Sequence, residues 1–276
     1  MSLSARRIFP FAKENPGGET KKNVAPVARN GKPQPYPKGE HMKYRSAPRG
    51  QMSDTFLTAF FVMMSAGVQD AYTYFFRGGV FANAQTGNIV LLSVALFRGD
   101  WHGVLKFLIP ITAFAFGVAA AEFLHGHFRH SEKLHWRQAV LLMEIAVLFL
   151  VGFLPHTVDH LANAAVSFAC AMQLQSFRKL RGYAYASTMC IGNLRSGTEA
   201  FCAFIRTRDR QDLYRSLTYF AVILLFAVGA GLGGILSLRV GVHAIFLSCI
   251  LLLCGFFVMF AHSKPPVDST EKTEDM

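Results

Sequence analysis

The chain has 276 residues, of which 52% are hydrophobic and only 16% charged, against the roughly 25% charged residues of a typical soluble domain. Its formal net charge is +11, but residues 1–53 hold eleven Lys/Arg and three Asp/Glu, so most of the excess sits in an N-terminal tail. That distribution excludes a soluble basic fold built on nucleic acid: no zinc-finger spacing and no basic stripe is present, and Lys/Arg beside apolar runs mark the cytoplasmic side and anionic headgroups.

Residues 1–53 are rich in Pro, Gly, Lys and Arg and show no sustained apolar period. They cannot bury enough surface to offset their ordering entropy and are expected to be disordered. No apolar h-region is present, so the segment is not a secretory signal. Met42 and Met52 are both candidate starts. A membrane domain is expected over residues 54–262. Its apolar segments cover 54–74, 80–97, 104–124, 138–154, 159–177, 183–205, 213–236 and 242–261. Most approach the roughly 20 residues a helix needs to cross the hydrocarbon core. Residues 263–276 are polar and acidic and are expected to be a disordered end. The five cysteines, Cys170, Cys190, Cys202, Cys249 and Cys254, fall in apolar stretches without a CxxC pair. They read as packing residues rather than a disulfide framework.

Shifting the sequence by 105 residues lays segments one to four on five to eight. Gly87-Asn88 then falls on Gly192-Asn193, Ala66 on Ala171, Ala95 on Ala200 and Asp70 on Gln175. This suggests two sequence-related halves, about 54–155 and 159–261. Segments two and six are interrupted by polar residues and glycine. If all eight segments cross, the loops carry eight Lys/Arg on each side. If two and six dip in and return, the split is twelve inside against four outside (Arg77, Arg98, Lys106 and Arg239). The second count obeys the positive-inside rule with a cytoplasmic N-terminus. The expected fold is therefore all-α: a polytopic membrane helix bundle with three spanning helices and one broken or re-entrant helix in each half.

The run Gly67-Val68-Gln69-Asp70-Ala71-Tyr72, followed by Gly79-Val80-Phe81 and Gln85-Thr86-Gly87-Asn88, resembles the YoaK-like family of bacterial inner-membrane proteins, a group without an established function. A second element, Ala171-Met172-Gln173-Leu174-Gln175 and then Gly192-Asn193-Leu194, matches the later half of that pattern, so the resemblance runs from about Thr55 to Ala261. Two departures stand out. Val68-Gln69 replaces the usual Phe-hydrophobic pair, and Ile191 stands where the family more often has Thr. The resemblance implies an inner-membrane location and paired motifs, and names no substrate.

Polar side chains in hydrocarbon cost a few kcal/mol each and need partners or water. Asp70 reads either as a proton- or cation-linked site or as an interfacial cap. Gln85, Thr86, Gly87 and Asn88, with Gly192 and Asn193, suit broken helices at matched positions of two halves, a pointer to a transport site. Their alternative use is close helix packing with Asn as interhelical glue. Gln173 and Gln175 lie two apart and point to different helix faces. Arg195 and Glu199 lie four apart and can neutralise each other as a lock or a gate within the membrane. Glu144 sits mid-segment without a local cation, so it needs an aqueous cavity or a proton. Glu122 with His125, His127, His130 and His135 reads as a solvated loop rather than a metal site. No HExxH, GxSxG or P-loop is present, so an enzyme is not expected, nor is a cofactor. The expected partners are the lipid bilayer and an unassigned small solute or ion, with no nucleic acid; homo-oligomerisation stays open. The expected activity is small-solute transport, against a membrane assembly or regulatory role.

Overall fold

The computed structural model describes residues 56–128, 136–177, 179–180, 183–184 and 190–261. The tails expected at 1–53 and 263–276, the candidate starts, and His130 and His135 lie outside them. The described residues form eight helices: α1 (Phe56–Phe76), α2 (Gln85–Phe97), α3 (Trp101–Phe128), α4 (Trp136–Val151), α5 (Asp159–Ser176), α6 (Cys190–Thr207), α7 (Arg210–Val240) and α8 (Phe246–Ala261). Two short 3₁₀ turns, His156–Val158 and Gly241–Ile245, lead into α5 and α8. Strands β1 (Lys179–Leu180) and β2 (Tyr183–Ala184) pair antiparallel.

Local chemistry sets several ends. Asp100 caps α3, accepting from the Gly103 amide at 3.0 Å, and Asp209 caps α7 through the Gln211 amide at 2.8 Å. After α1 the chain reverses at Gly78 and Gly79, with φ of 88° and 76°, a region where a Cβ is strained. Residues 77–84 are not helical, and α2 starts at Gln85 rather than at position 80. Likewise α6 starts at Cys190 rather than 183. The Gly-Asn pairs thus sit in the first turns of continuous helices and do not interrupt them. In the first half the break precedes the pair, because Asn88 spends its side chain holding the incoming loop.

α1 packs on α7 and on α8, α3 packs on α5, and α4 packs on α5 and α8. α2 lies on α3 and α6 on α7, with a smaller contact between α1 and α5. The α1–α7 crossing is close because it is made of glycine: a Cβ on Gly67 would collide with the Phe226 carbonyl, and one on Gly229 with that of Met64. Gly117 of α3 meets the Phe168 carbonyl of α5 in the same way. Small residues allow this approach where lipid offers no hydrophobic drive between helices. Large apolar side chains such as Phe97, Phe116, Phe123, Leu224, Leu238 and Phe257 cover the outside, a surface suited to lipid rather than water. Two helical stretches, Trp101–His127 and Arg210–Met259, are long and apolar enough to cross a bilayer.

α2 has 13 residues, about 20 Å at 1.5 Å per residue, too short for a hydrocarbon core of about 30 Å. Its geometry is that of a return leg. Asn83, just before α2, donates to the Ala66 carbonyl midway along α1, at 3.2 Å. Beyond α2, His102 and Lys106 of α3 line the same cavity as Arg77 and Gly78 at the end of α1. The chain therefore runs back beside α1 as a non-helical segment of turns and bends and returns as α2 to the end it left.

Candidate functional site

The return segment is held by a polar clasp. Asp70 of α1 is 8% exposed and accepts from the Asn83 amide at 2.8 Å, with the amides of Ala82 and Ala84 also facing it. Asn88, fully buried, donates to the Phe81 carbonyl at 2.7 Å and to Gln85 Oε1 at 2.9 Å, and accepts from the Phe81 amide at 3.0 Å. Gln85 Nε2 donates to the Ala82 carbonyl at 2.8 Å. Gly87 packs under the Phe81 ring, while Thr86 is exposed. Asp70, an anion beside the amides that open α2, also suits the positive end of that helix.

A second cluster lies where α1, α4, α5 and α8 meet. Gln69 Nε2 of α1 is 3.0 Å from each of Glu144 Oε1 of α4, Ser65 Oγ of α1 and Ser248 Oγ of α8. The Cys170 thiol of α5 donates to Gln69 Oε1, and the two serine hydroxyls bond each other. All five side chains are fully buried. Glu144 Oε2 has no hydrogen-bond partner among the described residues, and Asn83 Oδ1 and Gln173 Oε1 are likewise unpaired. Glu144 lines none of the cavities at Arg195, at Arg208 or at Arg77. Cys170 lies within electrostatic reach of both Glu144 and Asp70, and Cys190, the first residue of α6, within reach of Asp70. The clasp and the central cluster are neighbours, since Gln69 and Asp70 are consecutive residues of α1.

At the end of α1, Arg77 is 1% exposed. Its Nε donates to the Tyr72 hydroxyl at 2.8 Å. Nη1 donates to Asp159 Oδ1 at 2.7 Å and to the Pro155 carbonyl, and Nη2 to the carbonyls of Leu154 and Val151. All five guanidinium protons are spent. Asn163 donates back to the Arg77 carbonyl at 2.8 Å. This knot ties α1 to the α4–α5 connection.

The remaining sequence candidates scatter. Gln173 donates to the Val62 carbonyl at 2.9 Å, whereas Gln175 donates to Glu122 of α3 at 2.6 Å, so the two do face different neighbours. Asn193 is buried and Gly192 is exposed. Arg195 and Glu199 pair at 2.8 Å, but their side chains are 80% and 61% exposed. They line an open groove of about 660 Å³ on the outer face of α6, so the pair is no lock inside the bundle: helix spacing brings the two together without turning them inward. Among the described residues, no group of three or more His, Cys, Asp or Glu is placed to hold a metal ion.

Gln69, Ser65, Ser248 and Cys170 are site residues that sequence reasoning missed. The departure at Val68-Gln69 was the available signal, since an amide there replaces an apolar side chain. Arg77, expected as a loop charge, is instead buried.

Comparison with known proteins follows the same line. The family described as "Protein of unknown function (DUF1275)" matches residues 58–258. The chain belongs to this family. It is also 28% identical over 179 residues to the UPF0700 transmembrane protein YoaK of Bacillus subtilis (strain 168), covering 60% of this chain and 77% of that protein. The YoaK-like resemblance of the motifs therefore holds, and this member of the family is a membrane protein. No solved structure matches the chain at a significant level.

Proposed function

We propose that this protein is a small-solute transporter, coupled to protons or cations through Glu144, with its site between two inverted halves. The observation that carries this reading is the free oxygen of a fully buried carboxylate at the meeting of four helices, two from each half. An intramembrane ionisable group with a spare acceptor is a functional site by default.

The arrangement of helices supports two halves. Exchanging α1 with α5, α2 with α6, α3 with α7 and α4 with α8 turns the α1–α7 packing into α5–α3, α1–α8 into α5–α4, and α2–α3 into α6–α7. The contacts α4–α8 and α1–α5 map onto themselves. Under the 105-residue shift Ser65 falls on Cys170, so one pair of equivalent positions meets in the central cluster, and Glu144 falls on Cys249, whose thiol faces the Ile145 carbonyl next to it. If α6 returns as α2 does, each half has three crossings and the second is inverted relative to the first, as in many transporters. With that topology the positive-inside count favours a cytoplasmic N-terminus.

A second reading, a membrane assembly or regulatory protein without transport, is favoured by one observation: the side chain of Asn88 is engaged in holding its own loop. The test is reconstitution into vesicles loaded with a pH-sensitive dye and challenged with a panel of small anions, amino acids and cations. The transport reading expects solute-dependent ion movement that Glu144→Gln removes and that folded Asn88→Ala retains. Vesicles silent to every solute and every imposed gradient would sink it.

A further inference from the structure

We infer that the end of the bundle around Lys106 binds a small oxyanion, of the carboxylate or phosphate class. A cavity of about 240 Å³ opens there, lined by Lys106, His102, His156, His160, Arg77 and Asn163 among others. At about 30 Å³ per water it holds about eight waters, just under the roughly 300 Å³ at which drug-sized pockets begin. The ligand class follows from the lining. The carboxylate at the cavity, Asp159, is already spent: one oxygen accepts from Arg77 at 2.7 Å and the other faces His156 Nδ1 at 3.2 Å. Lys106 has no carboxylate partner among the described residues; its Nζ lies over the Phe107 ring, 5.3 Å from the centroid. Its tip also lies beside the bare backbone of Gly78, where a Cβ would sit 3.8 Å from Nζ. His102 and His160 meet edge to face at 5.4 Å, adding ring donors next to that ammonium. The first turn of α5, which contains Asp159 and His160, contributes the positive end of an 18-residue helix to the same space.

On the end where only Arg77, Arg98, Lys106 and Arg239 carry permanent positive charge in the inverted-halves topology, Arg77 is matched by Asp159, and the ammonium of Lys106 is left to face the cavity together with three histidines. A surface facing acyl chains gains nothing from that arrangement. A captured anion does, because each donor in a partly enclosed site is worth more than in water. Placed in the transport reading, the cavity is the vestibule that selects an anionic solute; binding itself does not depend on transport.

The test uses the full chain in nanodiscs of neutral lipid, with no gradient. Radiolabelled orthophosphate and succinate serve as free probes, and phosphatidylglycerol retention is read by native mass spectrometry. Saturable binding of any of these is expected. Lys106→Ala and the double change His102→Ala with His160→Ala should weaken it about tenfold or more, roughly 1.4 kcal/mol or above, while Lys106→Arg retains it. In the wild-type chain, the bound probe should slow amine modification of Lys106. Binding of the free probes assigns a soluble anion, and retention of the lipid alone assigns a headgroup. If wild-type protein binds none of the three, or if the alanine variants bind as tightly as wild type, the inference falls. Anion binding without uptake would overturn only the transport reading, and uptake of a cation without anion binding would overturn only this one.

Discussion

Two polar regions of this molecule solve the same problem differently. At the end of α1, Arg77 is buried with every donor matched to an oxygen, and Asn88 closes the adjoining loop with three hydrogen bonds. At the meeting of α1, α4, α5 and α8, Gln69 organises an equally dry cluster, yet one oxygen of Glu144 is left over. A fully matched network holds a fold together. A buried acid with a spare oxygen adds little stability, because the desolvation it suffers is not repaid. The first region reads as architecture and the second as chemistry.

Substitutions can break that contrast. The largest effect is expected for Arg77→Ala, which leaves Asp159, the Tyr72 hydroxyl and three carbonyls without their donor. A loss of about 3–5 kcal/mol is the usual cost of breaking a buried pair, and thermal unfolding in detergent should show it as the lowest midpoint of the series. Arg77→Lys should recover only part, since an ammonium cannot reproduce the planar fork. Asn88→Ala comes next, at about 1–3 kcal/mol for the orphaned Phe81 amide and carbonyl, with enhanced proteolysis of the 77–84 segment as its local signature. Glu144→Gln keeps the shape and the oxygen that Gln69 donates to, so its midpoint should move by less than about 1 kcal/mol. A drop as large as that of Asn88→Ala would erase the distinction drawn here. The smallest effect is expected for the double change Arg195→Val with Glu199→Val, because that pair stands on an open face; its unfolding midpoint should match wild type in detergent.

The apolar runs made the helical architecture legible, and several boundaries fell close: position 159 opens both the expected fifth segment and α5. The charge count pointed to a dipping second segment, and α2, at 13 residues, is short beside α3 and α7. What stayed hidden were meetings across the chain. Gln69 touches groups 75, 101 and 179 residues away, and no local period encodes that. Arg77 follows the last residue of α1 and reads as a loop charge until the α4–α5 connection closes over it. The Gly-Asn motifs were visible as a pair. Their use was not, because only the path of residues 77–84 shows that Asn88 faces its own loop.

The most direct measurement separates coupling from binding at Glu144. Vesicles containing wild type or Glu144→Gln, preloaded with the transported solute, are compared in gradient-driven uptake and in gradient-free exchange. Loss of driven uptake with exchange preserved is the predicted result. Driven uptake at wild-type rate in the Gln variant would contradict the account.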